Sequence, residues 1–431
     1  MPTEYTPRTR GDIIHKFLYY VTLKERSPRL KGLHNYLGDS SLPMVAQNDR
    51  GKFKEFLVAD PRVVKFAKVL VEHSARIVPG DRVLIEATTA AEPLVRELYI
   101  QILENGGHPH PMIGFPGMVP FIQDDMYLTY ARDTQLDFVP TFHKIAYDQF
   151  ESRIRIHSAT NTRATTNLDP VKAQRRGKAT STITESQMRR GAEGVFKWVT
   201  TLYPTDAYAQ DAGMSLKEYE DFVFGAVHAH EENPIAYWQS TATGQQKAIN
   251  FLAGKSQVVM HGPNVDLTLS IKGRRFMNST GLYNMPDGEI FTGPVEDSVN
   301  GWVKFTYPAI YSGVAVEGAE LTFVRGRVEQ AKAEKNQGYL IKMLESDSGS
   351  RYLGEYAIGT NFDINKFTGN ILFDEKIGGT FHMALGAGYP ETGSHNKSAI
   401  HWDMICDLRT DSEILVDGEL FYKNGQFVFG S

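Results

Sequence analysis

Cysteine is almost missing from this chain: Cys406 is the only one among 431 residues. A lone thiol excludes an intrachain disulfide and any multi-cysteine zinc site, so a metal held here must rest on histidine and carboxylates. It also suits a reducing compartment, and the cytoplasm is the expected location. Long apolar runs are missing too. The N-terminal "FLYYV" is short and flanked by charge, unlike a signal segment, and nothing approaches the ~18 uninterrupted apolar residues of a membrane span. Positive charge is not in excess: the net charge is -5, which gives no general drive toward nucleic acid or anionic membrane. H-E-x-x-H, the phosphate loop and the G-x-S-x-G elbow do not occur. "GAGYPETG" has too few glycines for a dinucleotide loop, and no strand is read before it. Internal repeats and low-complexity tracts are absent.

The chain that remains is an ordinary globular one, 41% hydrophobic and 23% charged, and long enough for two domains. Residues 1–58 read as an extension with a short helix at Gly11–Lys24. Helical periodicity begins at "DPRVVKFAKVLVEHSARI". A short buried strand, Val83–Ala87, follows, then the amphipathic helix "AAEPLVRELYIQILENGG" stopped by Gly106 and Gly107. "HPHPMIGF" is another strand candidate. Strand–helix–strand at this spacing predicts a parallel α/β layer over 59–248. Further helices are expected at Pro170–Ala179, Thr184–Val195 and Ser215–His228. From 249 to 431 alternating strands joined by Lys-Gly, Arg-Gly, Asp-Gly and Asn-Gly predict an α+β domain rich in antiparallel sheet. A helical stretch is expected within "NQGYLIKMLESDSGSRYLGEYAIG".

Two histidine pairs carry weak signals. His108 and His110 are read in a loop after a helix. His228 and His230, with Glu231 and Glu232, sit at a helix end, where imidazoles complement the dipole. The last third differs. In "SAIHWDMICDL", His401 and Asp403 share one strand face while Ile400, Trp402 and Met404 share the other. Glu289 follows the turn "MPDG" and opens a strand. Glu355 is read on a short helix in "SRYLGEYAIG", Glu375 just after an apolar strand, and His382 inside "GTFHMALGAGYP". Each alone has a structural explanation, a solvated strand end or a satisfied core histidine. Together they form a donor set that zinc, cobalt or manganese accepts, and carboxylates of that number could bridge two ions.

The segments "AEPLVRELY", "NTRATTNLDP", "LYPTDAYAQDAGMSLKEYEDFVF", "NMPDGEIFTGP", "LGEYAIG", "NILFDEKIGGTFHMALGAGYPETG" and "NKSAIHWDMICDLR" resemble the aminopeptidase T / aminopeptidase S family of metallo-aminopeptidases. The likeness runs from about residue 60 to the C-terminus. It implies a cytoplasmic, usually dimeric exopeptidase that removes N-terminal residues from peptides with water activated by two divalent ions in its C-terminal domain. The family's metal ligands fall on Glu289, Glu355, Glu375, His382, His401 and Asp403, and its active-site tyrosine on Tyr389. "KIGGTF", between Glu375 and His382, is longer than in some members, and residues 1–58 have no counterpart in the shorter ones. Glu355 is the expected bridging carboxylate and Tyr389 the expected donor to a tetrahedral oxyanion. Another metal-dependent amidohydrolase on the same scaffold, a nucleotide-binding protein, and a non-catalytic metal-binding or structural protein are the alternatives that the residues leave open.

Overall fold

An aspartate followed by proline is a helix start, because the carboxylate caps a free N–H and the ring presets φ. Asp60 accepts the backbone N–H of Arg62 at 2.9 Å, opening α1 (Pro61–Lys68). The helix widens into a π-helical turn, Val69–Ser74, that carries Val69, Leu70 and Val71 into the same core. This computed structural model describes residues 60–429 apart from 116–117, 120–122 and 165–167. The extension 1–58 and the helix expected at Gly11–Lys24 lie outside the described residues.

The first sheet is the expected parallel layer. β1 (Arg82–Thr88) pairs in parallel with β2 (His108–Gly114) and with β3 (Ser152–His157), which pairs with β4 (Lys197–Leu202). The two residues Asn284–Met285 add a fifth parallel strand beside β4. His108 and His110 are therefore on a strand and not in a loop. β2 is an edge strand, where Pro109 and Pro111 cost no ladder bond on the open side. The two helices expected over 170–195 are one, Pro170–Ala192. Its Thr-Ser-Thr middle has weak helix propensity, but Ile183 packs there against Leu84, Tyr147 and Phe196. A helix that the sequence reading omitted, Pro234–Leu252, is capped by Asn233, which accepts the Ala236 N–H at 3.1 Å.

One face of this sheet holds a buried ion cluster. Glu86 on β1 stands opposite Arg155 on β3 and accepts its Nε at 2.8 Å, with Arg153 3.9 Å away and the Tyr147 hydroxyl donating at 3.2 Å. Burial pushes the Glu86 carboxyl up, and the two guanidiniums more than offset it, so the group ends below the usual carboxylate range. Glu86→Ala leaves Arg153 buried without its counter-charge and is expected to cost about 3–5 kcal/mol of stability, read as a lower midpoint in urea. The folded-state value lies below the ordinary 4.5, so the stabilisation is complete above that pH and fades as pH falls through the folded value. The difference between wild type and variant should shrink in the same window.

The second sheet is antiparallel, in the order β8 (His401–Asp407), β7 (Thr380–Gly386), β6 (Leu353–Gly359), β5 (Glu289–Thr292) and the short strand Met277–Ser279. Residues 353–359 were expected in a helical stretch; the helix is only Gln337–Leu344, turns occupy 345–352, and 353–359 are β6. Every residue of β6 is buried, so the strand has no polar alternation to announce itself. The C-terminal part also holds an eight-stranded sheet and a two-stranded ribbon, Ala309–Tyr311 with Val314–Val316; the eight-stranded one carries predicted hairpins. Three of its turns, at Arg325-Gly326, Asp417-Gly418 and Asn424-Gly425, have positive φ at both residues, as two-residue hairpins require. Lys272-Gly273 closes no hairpin: Val265–Ser270 and Met277–Ser279 belong to different sheets. No helix among the described residues is long and apolar enough to cross a membrane.

Candidate metal centre

The pleat of the second sheet sorts its residues into two sets. Ile290, Tyr356, Ile358, Phe381, Met383 and Trp402 point into the largest apolar cluster. The alternate positions point the other way and carry Glu289, Glu355, His382, His401 and Asp403. Register aligns them: Ala384 stands between Glu355 and Asp403, Gly386 faces His401, Ala357 faces His382, and Gly359 faces Glu289. Glycine and alanine between the charged positions keep that face open, so long polar side chains from different strands converge above it. Gly288 sets up the first of them. Its φ is +124° and a Cβ there would lie 2.9 Å from Asn361, so only glycine lets the chain enter β5 with Glu289 turned inward.

His401 Nε2 lies 3.1 Å from Glu355 Oε2 and 3.5 Å from Asp403 Oδ1. Its Nδ1 faces the Ala387 carbonyl at 2.8 Å; a carbonyl only accepts, so Nδ1 carries a proton and Nε2 is aimed at the carboxylates. His382 Nε2 lies 3.3 Å from Glu289 Oε2 and 3.8 Å from Glu355 Oε1. Glu355 thus directs one oxygen to each imidazole. Burial disfavours charge on both rings, yet the carboxylates outweigh it, drawing His382 up to about 9 and His401 up to about 12. Burial likewise pushes Glu355 up, and the two imidazoles reverse this to about 2.

Glu375 joins from outside the sheet. It follows a short helix, Ile371–Asp374, and not an apolar strand as expected. Asn370 caps that helix through the Leu372 N–H at 3.2 Å, while Asp374 accepts the Thr368 N–H at 2.7 Å and fixes the loop. Burial pushes the Glu375 carboxyl up to about 7. All six residues expected as ligands are therefore brought together. Their donor atoms form three overlapping triads, Glu289/Glu355/His382, Glu355/His401/Asp403 and Glu375/His382/Asp403, each with atoms within 4.8 Å of one another. Tyr389, expected at the site, lies against it: its ring meets His401 edge-on at 5.2 Å and Phe291 at 5.4 Å. It begins a short 3-10 turn, Pro390–Thr392, and β7 precedes it, contrary to the expectation that no strand stands before "GAGYPETG".

Sequence reasoning missed Lys376. Its side chain is fully buried, Nζ lies 3.0 Å from Glu289 Oε1 and 3.8 Å from Asp287 Oδ1, and it donates to Glu375. Burial opposes the charge, but Glu289, Glu375 and Asp287 hold the ammonium well above the ordinary lysine range. Nothing in "DEKIGG" distinguishes this lysine from a solvated one. Of the other histidines, His108 and His110 gather no carboxylate among the described residues: His110 Nδ1 donates to the His108 carbonyl at 2.8 Å. His228, His230 and Asp363 do form a three-donor group at a helix end, with His228 stacked on Tyr237 at 3.5 Å; Glu231 and Glu232 are not part of it.

Imidazole and carboxylate donors thus converge from several strands, as a group that could hold a metal ion, on a scaffold of parallel α/β and antiparallel sheet. Residues 59–427 match the thermophilic metalloprotease (M29) family, and the chain belongs to it. It is 27% identical over 419 residues to aminopeptidase 2 of Geobacillus stearothermophilus, covering 85% of this chain and 97% of that one. Aminopeptidase AmpS of Bacillus subtilis is 31% identical over 242 residues, 48% of this chain and 58% of AmpS. Among solved structures, wild-type AmpT from Thermus thermophilus superposes with a TM-score of 0.73 at 23% identity, over 85% of this chain and 99% of AmpT. A 2,5-dihydroxypyridine dioxygenase from Pseudomonas putida KT2440 superposes at 0.50 with 12% identity, over 86% and 97%. The fold is thus shared with a protein named for different chemistry, and family membership rests on the sequence match.

Proposed function

We propose that the chain is a metal-dependent aminopeptidase in which Glu289, Glu355, Glu375, His382, His401 and Asp403 hold two divalent ions (zinc, cobalt or manganese) in the C-terminal domain. The observation that carries the proposal is the convergence of six donors in three overlapping triads, with Glu355 common to two of them. The donors fit such ions. All are imidazole nitrogen or carboxylate oxygen, and Glu289 Oε2 and Asp403 Oδ1 are buried without a hydrogen bond, each facing an imidazole at 3.3 and 3.5 Å, which leaves them costly unless a further group engages them. Glu355, with one oxygen toward each imidazole, is placed to bridge.

When bound, the ions supply an acidified water and a Lewis acid for the scissile carbonyl. The chain's own residues do the rest. Glu375, which reaches the site from outside the sheet, is placed to take a proton from water and return it to the leaving amine. Tyr389 donates a hydrogen bond to the tetrahedral oxyanion. A free α-amino group reaches the carboxylates only when no residue precedes it, and this selects N-terminal bonds. We further propose a homodimer in the cytoplasm, whose partner subunit closes the far side of the site and excludes internal bonds. The α/β half, residues 59–248, serves as scaffold and wall.

The test is a panel of aminoacyl-anilides and oligopeptides, each with a free and an acetylated N-terminus, assayed with zinc, cobalt and manganese. Release of the first residue from free peptides only is expected. Failure to cleave any of them with all three metals would defeat the reading.

A further inference from the structure

Lys376 sits unevenly in the centre. It binds Glu289 at 3.0 Å and also Glu375, and it makes no ion pair with Glu355, His401 or Asp403. Of the three donor triads, the one built from Glu355, His401 and Asp403 is therefore untouched by the ammonium, and the other two each share a carboxylate with it. We propose that Lys376 is a built-in cation on one half of the centre, which makes the two ion positions unequal: an ion on Glu355, His401 and Asp403 is held tightly, and one on the Glu289, His382 and Glu375 side weakly. This inference rests on the reading of the six residues as ligands of two ions.

Two effects of the lysine oppose each other. A hydrogen-bonded outer partner orients a ligand and strengthens metal binding, by about 10–100-fold where it has been tested. A positive charge one carboxylate away from a divalent ion repels it, and in a buried site this repulsion is little screened. Lys376 is fully buried, so repulsion outweighs orientation. The ammonium also occupies one oxygen of Glu289, leaving Oε2, the oxygen that faces His382, as its free donor. The same charge helps to keep Asp287 and Glu289 buried beside the half-buried Glu375: all three face Nζ, and the one ammonium offsets part of the cost that unpaired buried carboxylates would impose.

The experiment is a titration of the chelator-treated full chain with Zn2+, by calorimetry against a competing chelator, on wild type, Lys376→Met and Lys376→Arg. Wild type should take two ions whose dissociation constants differ by tenfold or more. The gap should narrow in Lys376→Met, because the second ion tightens, and persist in Lys376→Arg, which keeps the charge. A merely structural lysine predicts the opposite, weaker binding of both ions in Lys376→Met. Where Lys376→Met does not fold, Lys376→Gln keeps a donor without the charge and is read the same way. Two ions within tenfold of each other in wild type, or an unchanged gap in the uncharged variant, would overturn the inference while leaving the metal centre standing. No Zn2+ bound at all would instead defeat the ligand assignment itself.

Discussion

Replacing His401 with alanine should lower kcat/KM for peptide hydrolysis by well over 100-fold and remove at least one ion per chain, while the protein stays folded. The size follows from what the imidazole touches. Nε2 is 3.1 Å from Glu355 and 3.5 Å from Asp403, so its loss takes a nitrogen donor from the triad that Lys376 leaves free. Loss of an outer partner alone costs about 10–100-fold in affinity or activity, and a direct donor should cost more. The fold should tolerate the change, because the side chain retains 28% of its exposure and lies on the face opposite Trp402, Met404 and Cys406, which are in the core. Three measurements decide it: kinetics on an N-terminal anilide, metal content by elemental analysis, and the thermal midpoint. Unchanged turnover with full metal content would refute the assignment. A collapsed midpoint would move His401 from the site to the scaffold.

The same strand shows why part of this site was legible. His401 and Asp403 are two apart in a run whose other members are apolar, and β structure turns that spacing into a shared face. Glu289 was equally readable, since "MPDG" ends where a strand must begin. Glu355 was not placed on its true element. Its strand is buried on both faces, so neighbouring Leu353, Tyr356 and Ile358 give a pattern that period alone cannot separate from a helix. The position of Glu375 depends on a four-residue helix too short for periodicity to reveal. Lys376 was beyond reach for a different reason: its partners Asp287 and Glu289 lie nearly ninety residues upstream, so the pairing exists only once β5 and the loop before β7 have packed. In the α/β half, β3 and β4 went unread, and only β1, β2 and their parallel pairing followed from strand–helix spacing. The Asn284–Met285 strand did not, because two residues carry no pattern and their place beside β4 is set by tertiary contact.

Tyr389→Phe separates binding from chemistry at this site. The ring touches Phe291 and His401 through its edges and face, and phenylalanine keeps both contacts, so stability and metal content should not change. What disappears is one hydroxyl donor. If that hydroxyl stabilises the oxyanion, it acts on charge that exists only in the transition state, and its loss should appear in kcat, about 100-fold or more, with KM little altered. Burial and the nearby Glu355 and Asp403 push the phenol above its usual range. It therefore stays protonated across the assay range and adds no limb to the pH–rate profile; wild type and variant should give profiles of the same shape, displaced vertically. An unchanged kcat would remove Tyr389 from the chemistry. A rise in KM with kcat preserved would make it a substrate-binding wall instead.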